Sequence, residues 1–244
     1  MKRRHPRTTE STSLIVLLLC CSVVGTAAWA DEEPQERQAY FDRTQTYYLH
    51  VPRDYDHRRA WPLFIAVHGG MASGAGDFKI WAQYADAEGF ILLAPNFTGE
   101  FYRLESGSGR RLERLVEELN SIYWIDRHKV LLSGFSWGGQ FAYRFAMAHP
   151  EFAHTVAIFN SGNFSIPTRR PSGLARPRFY LAVGMEEQVY AQQAPGFVDM
   201  LKRYDYQADL YLARGVGHSI PSRAVVDVLN LFRTMKAEGA SRER

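Results

Sequence analysis

The stretch Lys129-Val130-Leu131-Leu132-Ser133-Gly134-Phe135-Ser136-Trp137-Gly138-Gly139-Gln140-Phe141-Ala142-Tyr143 decides how the chain folds. Its first five residues are a short β-prone run of the kind that is buried in a sheet, and the residues from Gly138 to His149 read as a helix closed by Pro150. Between them stands Gly134-Phe135-Ser136-Trp137-Gly138, a G-x-S-x-G pattern. A strand that passes directly into a helix through such a turn holds the serine hydroxyl at the apex of a tight bend, and its flanking positions must lack side chains. With glycine and serine each near 7% of residues, the pattern alone arises by chance in roughly one chain of this length in twelve. The strand before it and the helix after it are what give it meaning.

Outward from this point, apolar runs alternate with amphipathic stretches. Strands are expected over Thr46 to Val51, Leu63 to Val67, Phe90 to Ala94, Thr155 to Phe159, Arg178 to Val183 and Ala208 to Leu212. Helices are expected over Phe78 to Glu88, Arg110 to Ile122, Pro195 to Tyr204 and Pro221 to Lys236. Strands alternating with helices imply an α/β fold with a mostly parallel central sheet of about seven strands flanked by helices. The segment from Asp31 to Gln38 reads as a polar, frayed lead-in, and Gly99 to Gly109 as a flexible loop.

Of 244 residues, 46% are apolar and 23% charged, which suits one globular domain, here residues 31–244. Residues 1–30 read as a signal peptide: basic Lys2, Arg3, Arg4 and Arg7, an apolar run from Leu14 to Val24, and a small-residue site at Ala28-Trp29-Ala30. The run is too short to span a bilayer, so a periplasmic or extracellular product without stable membrane insertion is expected, with lipid attachment at Cys20 or Cys21 as the weaker alternative. Both cysteines of the chain lie in this leader. The whole sequence carries 29 basic and 26 acidic residues, but the leader holds four of the first and one of the second, which leaves the remainder balanced at 25 each. A balanced domain offers no electrostatic footprint for nucleic acid.

A serine hydroxyl attacks an acyl carbon only when a base takes its proton and a carboxylate holds that base in the right tautomer. His218, in Gly215-Val216-Gly217-His218-Ser219, follows the last strand at the sheet edge where the serine sits, so it is the candidate base. The other histidines sit at edges, turns and element ends. The acid is expected after the strand Arg178 to Val183, in Gly184-Met185-Glu186-Glu187-Gln188, with Glu187 favoured over Glu186 and with Asp205 or Asp209 as substitutes. The turn His68-Gly69-Gly70 and the residue after the serine supply amides for an oxyanion hole, assigned to Gly70 and Trp137 with Met71 next in line. His68 reads as a hydrogen-bonded structural residue. Phe135, Trp137, Trp81 and Tyr102 are candidate pocket walls.

The chain also resembles a known family, the secreted α/β-hydrolase esterases grouped with polyhydroxybutyrate depolymerases and feruloyl or acetylxylan esterases. The resemblance runs through Tyr47-Tyr48-Leu49-His50-Val51-Pro52, Trp61-Pro62-Leu63, His68-Gly69-Gly70, Ala85-Asp86-Ala87-Glu88-Gly89-Phe90, Ala94-Pro95-Asn96, Ile125-Asp126-Arg127 and Gly134-Phe135-Ser136-Trp137-Gly138-Gly139. It implies an α/β-hydrolase fold, Ser136 as nucleophile, His218 as base, and a small or oligomeric ester as substrate with no metal or organic cofactor. The chain departs from the family where an aspartate is usual, since that position is Glu187, and it lacks the cysteine pairs of the depolymerase members. A serine peptidase of the same fold and a catalytically silent binding protein are the rival expectations.

Overall fold

In a computed structural model, residues 34–167 and 177–242 are described; the expected leader, with Cys20 and Cys21, lies outside them. The described residues form an eight-stranded sheet with strand order β1-β2-β4-β3-β5-β6-β7-β8. The strands are β1 (Glu36–Gln38), β2 (Thr46–His50), β3 (Trp61–Val67), β4 (Ile91–Asn96), β5 (Ile125–Phe135), β6 (Thr155–Phe159), β7 (Arg178–Gly184) and β8 (Ala208–Ala213). From β4 through β8 neighbouring strands pair in parallel, while β1 and β2 complete one side in antiparallel pairing. The expected α/β architecture is therefore present.

The helices are α1 (Gly74–Glu88), α2 (Ser108–Ile122), α3 (Trp137–Ala148), α4 (Gln188–Arg203) and α5 (Ser222–Arg242). Every residue of β3 and β6 is buried, because helices cover both faces of the sheet. Along β3 the side chains alternate: Leu63, Ile65 and Val67 belong to the buried cluster that holds the apolar stripes of α2, α3 and α4, whereas Phe64 and Ala66 belong to the one that holds Trp81 of α1 and Phe232 of α5. Among the described residues no helix is long and apolar enough to cross a membrane.

Five departures from the sequence reading have physical causes. The lead-in is not wholly frayed, since its last residues pair with β2 as the exposed edge strand β1, which makes eight strands where about seven were expected. Strand β3 starts at Trp61 rather than Leu63, and Pro62, which cannot donate to a ladder, falls at a register irregularity between Trp61 and Leu63. Helix α1 begins four residues early because Asn96 Oδ1 accepts the Gly74 N–H at 2.6 Å, a tertiary contact with no local signature.

The largest miss is α4, expected from Pro195 and observed from Gln188, with the proline inside it. The buried stripe Ala194, Phe197, Val198 and Leu201 starts before the proline, so packing against the sheet outweighs the lost bond. The Gly99 to Gly109 stretch is also more ordered than a free loop. It holds a 3-10 turn (Leu104–Ser106) and the start of α2, and it is anchored by the wholly buried Phe101, whose carbonyl accepts the Ser108 hydroxyl at 2.6 Å.

Candidate active site

Strand β5 delivers Ser136 to a turn of unusual tightness. The serine has φ 53° and ψ −115°, a left-handed conformation costly for a residue with a side chain. Its neighbours explain why the bend closes: a Cβ on Gly134 would sit 2.1 Å from the Gly138 carbonyl oxygen, and one on Gly138 would sit 2.1 Å from that of Val67. The bend is held from β6, where Phe159 O accepts the Ser136 N–H at 2.9 Å and the buried Ser161 hydroxyl donates to Ser136 O at 2.7 Å.

Because β5 to β8 run parallel, the segments after their carboxyl ends share one edge of the sheet. His218 follows β8 there, and Glu187 follows β7 as the residue preceding α4. The structure brings these two together: His218 Nδ1 lies 3.6 Å from Glu187 Oε2, with both side chains partly open to solvent. That spacing is longer than a formed hydrogen bond. The imidazole packs on the ring of Phe135, the residue before Ser136, at 4.8 Å between centroids. Tyr190 of α4 stands 6.3 Å away on the same measure.

Glu186 is exposed and its amide N–H donates to Val216 O at 3.1 Å; among the described residues it forms no ion pair with His218. Asp209 binds Arg178 at 2.7 Å at the amino ends of β7 and β8, the opposite edge, and Asp205 lies in the turn leading into β8 at that same end. Both substitutes for the acid are thereby placed away from the imidazole. His50 pairs with Asp86 at 2.8 Å and His149 with Glu113 at 3.0 Å.

The turn after β3 stands beside the serine. The amides of Gly70, Met71 and Trp137 have no hydrogen-bond acceptor among the described residues, and Trp137 is the first residue of α3, where N–H groups are free of the helix ladder. Met71 adopts a φ of 57°. His68 is buried: Phe97 N–H donates to its Nε2 at 3.0 Å, so the proton sits on Nδ1, which donates to Gly69 O at 2.6 Å. Burial holds its pKa below the ordinary histidine value, and the ring is a neutral brace.

Trp137 lies flat over this turn, since a Cβ on Gly70 would come within 2.5 Å of its indole. Tyr102 packs on it at 4.9 Å and Phe101 at 6.3 Å. Trp81 is not a pocket wall. It is wholly buried between Phe64 and Phe159 in the core under α1. No cluster of three or more histidine, cysteine or acidic side chains suited to a metal ion occurs among the described residues.

Sequence reasoning missed Asn160 and Ser161, both buried at the end of β6. The signal was available: two polar residues ending the all-apolar run Val156 to Phe159, on the strand beside the serine's own.

The chain is 26% identical to a probable feruloyl esterase C of Aspergillus niger over 127 residues, covering 49% of this chain and 47% of that protein. It is 24% identical to esterase FrsA of Photobacterium profundum over 149 residues, covering 59% and 35%. The chain thus spans about half the length, or less, of these curated relatives. Among solved structures, the acetyl xylan esterase of Aspergillus awamori matches with a TM-score of 0.60 at 17% identity, covering 80% of this chain and 97% of that one. A ferulic acid esterase of Anaeromyces mucronatus, solved with ferulic acid, matches with a TM-score of 0.61 at 14% identity, covering 79% and 86%. These structural matches support the α/β-hydrolase fold, and the expected depolymerase likeness is carried by none of the matches named here. The model of the dienelactone hydrolase family matches residues 102–226, from Tyr102 through the serine turn and the loops of Glu187 and His218 into α5, and the chain belongs to that family.

Proposed function

We propose that the protein is a serine hydrolase that cleaves carboxylic esters through an acyl-enzyme. The observation that carries this reading is the approach of Glu187 to His218 Nδ1 on two loops at the sheet edge that also presents Ser136. In this mechanism Ser136 Oγ attacks the ester carbonyl as its proton passes to His218 Nε2. Glu187 accepts from Nδ1–H and stabilises the imidazolium. The amides of Gly70 and Trp137, with Met71 adjacent, point unspent N–H groups at the developing oxyanion, and the amino end of α3 adds its positive pole. Collapse of the intermediate breaks the bond to the alcohol oxygen, which leaves with the proton from Nε2. Water then repeats the sequence on the acyl-serine and releases the acid.

Trp137 and Tyr102, backed by the buried Phe101, form an aromatic wall beside that carbonyl, which favours esters with a flat or short acyl group. The names of the relatives, feruloyl and acetylxylan esterases, point the same way. Export directed by residues 1–30 belongs to this proposal as well, with cleavage after Ala30. The test is a panel of p-nitrophenyl esters of graded acyl length, methyl ferulate, acetylated xylan and a peptide amide, offered to residues 31–244 and to Ser136→Ala. Ester hydrolysis that vanishes in the variant is the expected result. Peptide cleavage without ester cleavage, or no turnover at all, would overturn the reading.

A further inference from the structure

Glu187 and His218 arrive on separate loops, and the described structure places one side chain between those loops. Asn160, wholly buried at the end of β6, accepts the Gly184 N–H on Oδ1 at 2.7 Å and donates from Nδ2 to Ser219 O. Gly184 ends β7 and its carbonyl in turn accepts the Glu187 N–H at 3.0 Å, while Ser219 directly follows His218. The backbone N–H of Asn160 itself donates to Ala182 O at 2.9 Å. A single carboxamide therefore ties the backbone of the acid's loop to that of the base's loop. The task needs an acceptor and a donor on one short side chain, which asparagine supplies and aspartate, when ionised, does not.

We propose that Asn160 is a positioning residue that fixes the spacing between Glu187 and His218. The inference rests on the hydrolase reading of those two residues and adds a third position that neither motif nor resemblance assigns. A simpler account exists: Asn160 has φ 41°, and asparagine tolerates the left-handed region better than most residues. The two accounts separate at Asn160→Gly, because glycine takes that backbone without strain but deletes the clamp. Asn160→Asp is the companion variant. It keeps the shape and the bond to Gly184 but, ionised, sets an oxygen against Ser219 O.

Each variant of the full chain is measured for thermal midpoint, for kcat and KM on p-nitrophenyl acetate, and for the NMR chemical shifts of the His218 ring. The groups facing that imidazole are Glu187 across the loops, Tyr190 on α4 and Phe135 on β5, with Glu186 against the neighbouring Gly217. The expected result is a fall in kcat of about ten- to a hundredfold with KM within about threefold, since a displacement near 1 Å costs on that scale. The His218 ring resonances are expected to move, because the carboxylate that faces Nδ1 at 3.6 Å changes its distance from the ring. A folded Asn160→Gly with kcat within about twofold of the unmutated protein and unmoved His218 ring resonances would overturn the proposal. So would a loss of activity in step with thermal stability while those resonances stay in place. An unmutated protein that cleaves no ester fails the hydrolase reading instead, and the His218 ring resonances in the two variants still decide the spacing claim.

Discussion

The carboxylate of Glu187 stands 3.6 Å from Nδ1 of His218, while its sequence neighbour Glu186 binds the His218 loop through its backbone, donating to Val216 O. Two adjacent acids thus have different work. Glu187→Gln removes the charge that steadies the imidazolium and is expected to lower kcat by about a hundredfold or more. Glu186→Gln is expected to stay within about threefold. Steady-state kinetics on one activated ester check this, and equal small losses from both variants would place the acid elsewhere.

Gly70 and Trp137 are coupled by contact. A methyl group at residue 70 would sit 2.5 Å from the indole and must displace it, along with the turn that carries the proposed oxyanion amides. Gly70→Ala is expected to reduce kcat by about tenfold or more, the scale on which one lost oxyanion donor is felt. In Gly70→Ala/Trp137→Leu much of that loss is expected to return, because leucine clears the space while residue 137 keeps its amide. A double-mutant cycle in kcat/KM checks it, and strictly additive losses would contradict the coupling.

Asp77, in the first turn of α1, is buried and its pKa is pushed up to about 7 by desolvation. The folded protein therefore keeps this proton between the ordinary value of 3.8 and about 7, where the unfolded chain has released it. Stability is lost as pH rises through that window. Asp77→Asn is expected to raise stability by an amount that grows from pH 4 to 7 and then levels off, on the order of 4 kcal/mol at pH 8. Denaturant melts across pH check the sign, and an advantage confined to acid pH would contradict it.

His68 acts in the opposite direction. Its neutral ring accepts from Phe97 and its folded pKa lies below 6.5, so the unfolded chain takes up the proton first as pH falls. That contribution is present above the unfolded value and is lost on acidification. In His68→Gln, which has no titrating ring, the decline of stability below about pH 6.5 is expected to be shallower than in the unmutated protein. Parallel pH curves for the two proteins would contradict the assignment.

Strand–helix alternation and the serine turn were legible because they are local. Continuous apolar runs such as Phe90 to Ala94 mark a sheet buried on both faces, and Gly134-Phe135-Ser136-Trp137-Gly138 states its own geometry. The meeting of His218 with Glu187 was legible by the order of elements, because both stand in loops after late parallel strands. What escaped depends on contacts distant in sequence. The early start of α1 rests on Asn96, the run of α4 through Pro195 rests on a stripe packed against the sheet, and the placement of Trp81 in the core rests on Phe64 and Phe159. Asn160 escaped for the same reason, since its partners Gly184 and Ser219 are 24 and 59 residues away.

The central claim is that Ser136 is a nucleophile activated by His218. Mass spectrometry of residues 31–244 after exposure to a fluorophosphonate tests it most directly. The account predicts one adduct, on the peptide that contains Ser136, and none in Ser136→Ala or, within the same exposure, in His218→Ala. An unlabelled protein, or an adduct on any other residue, would contradict it.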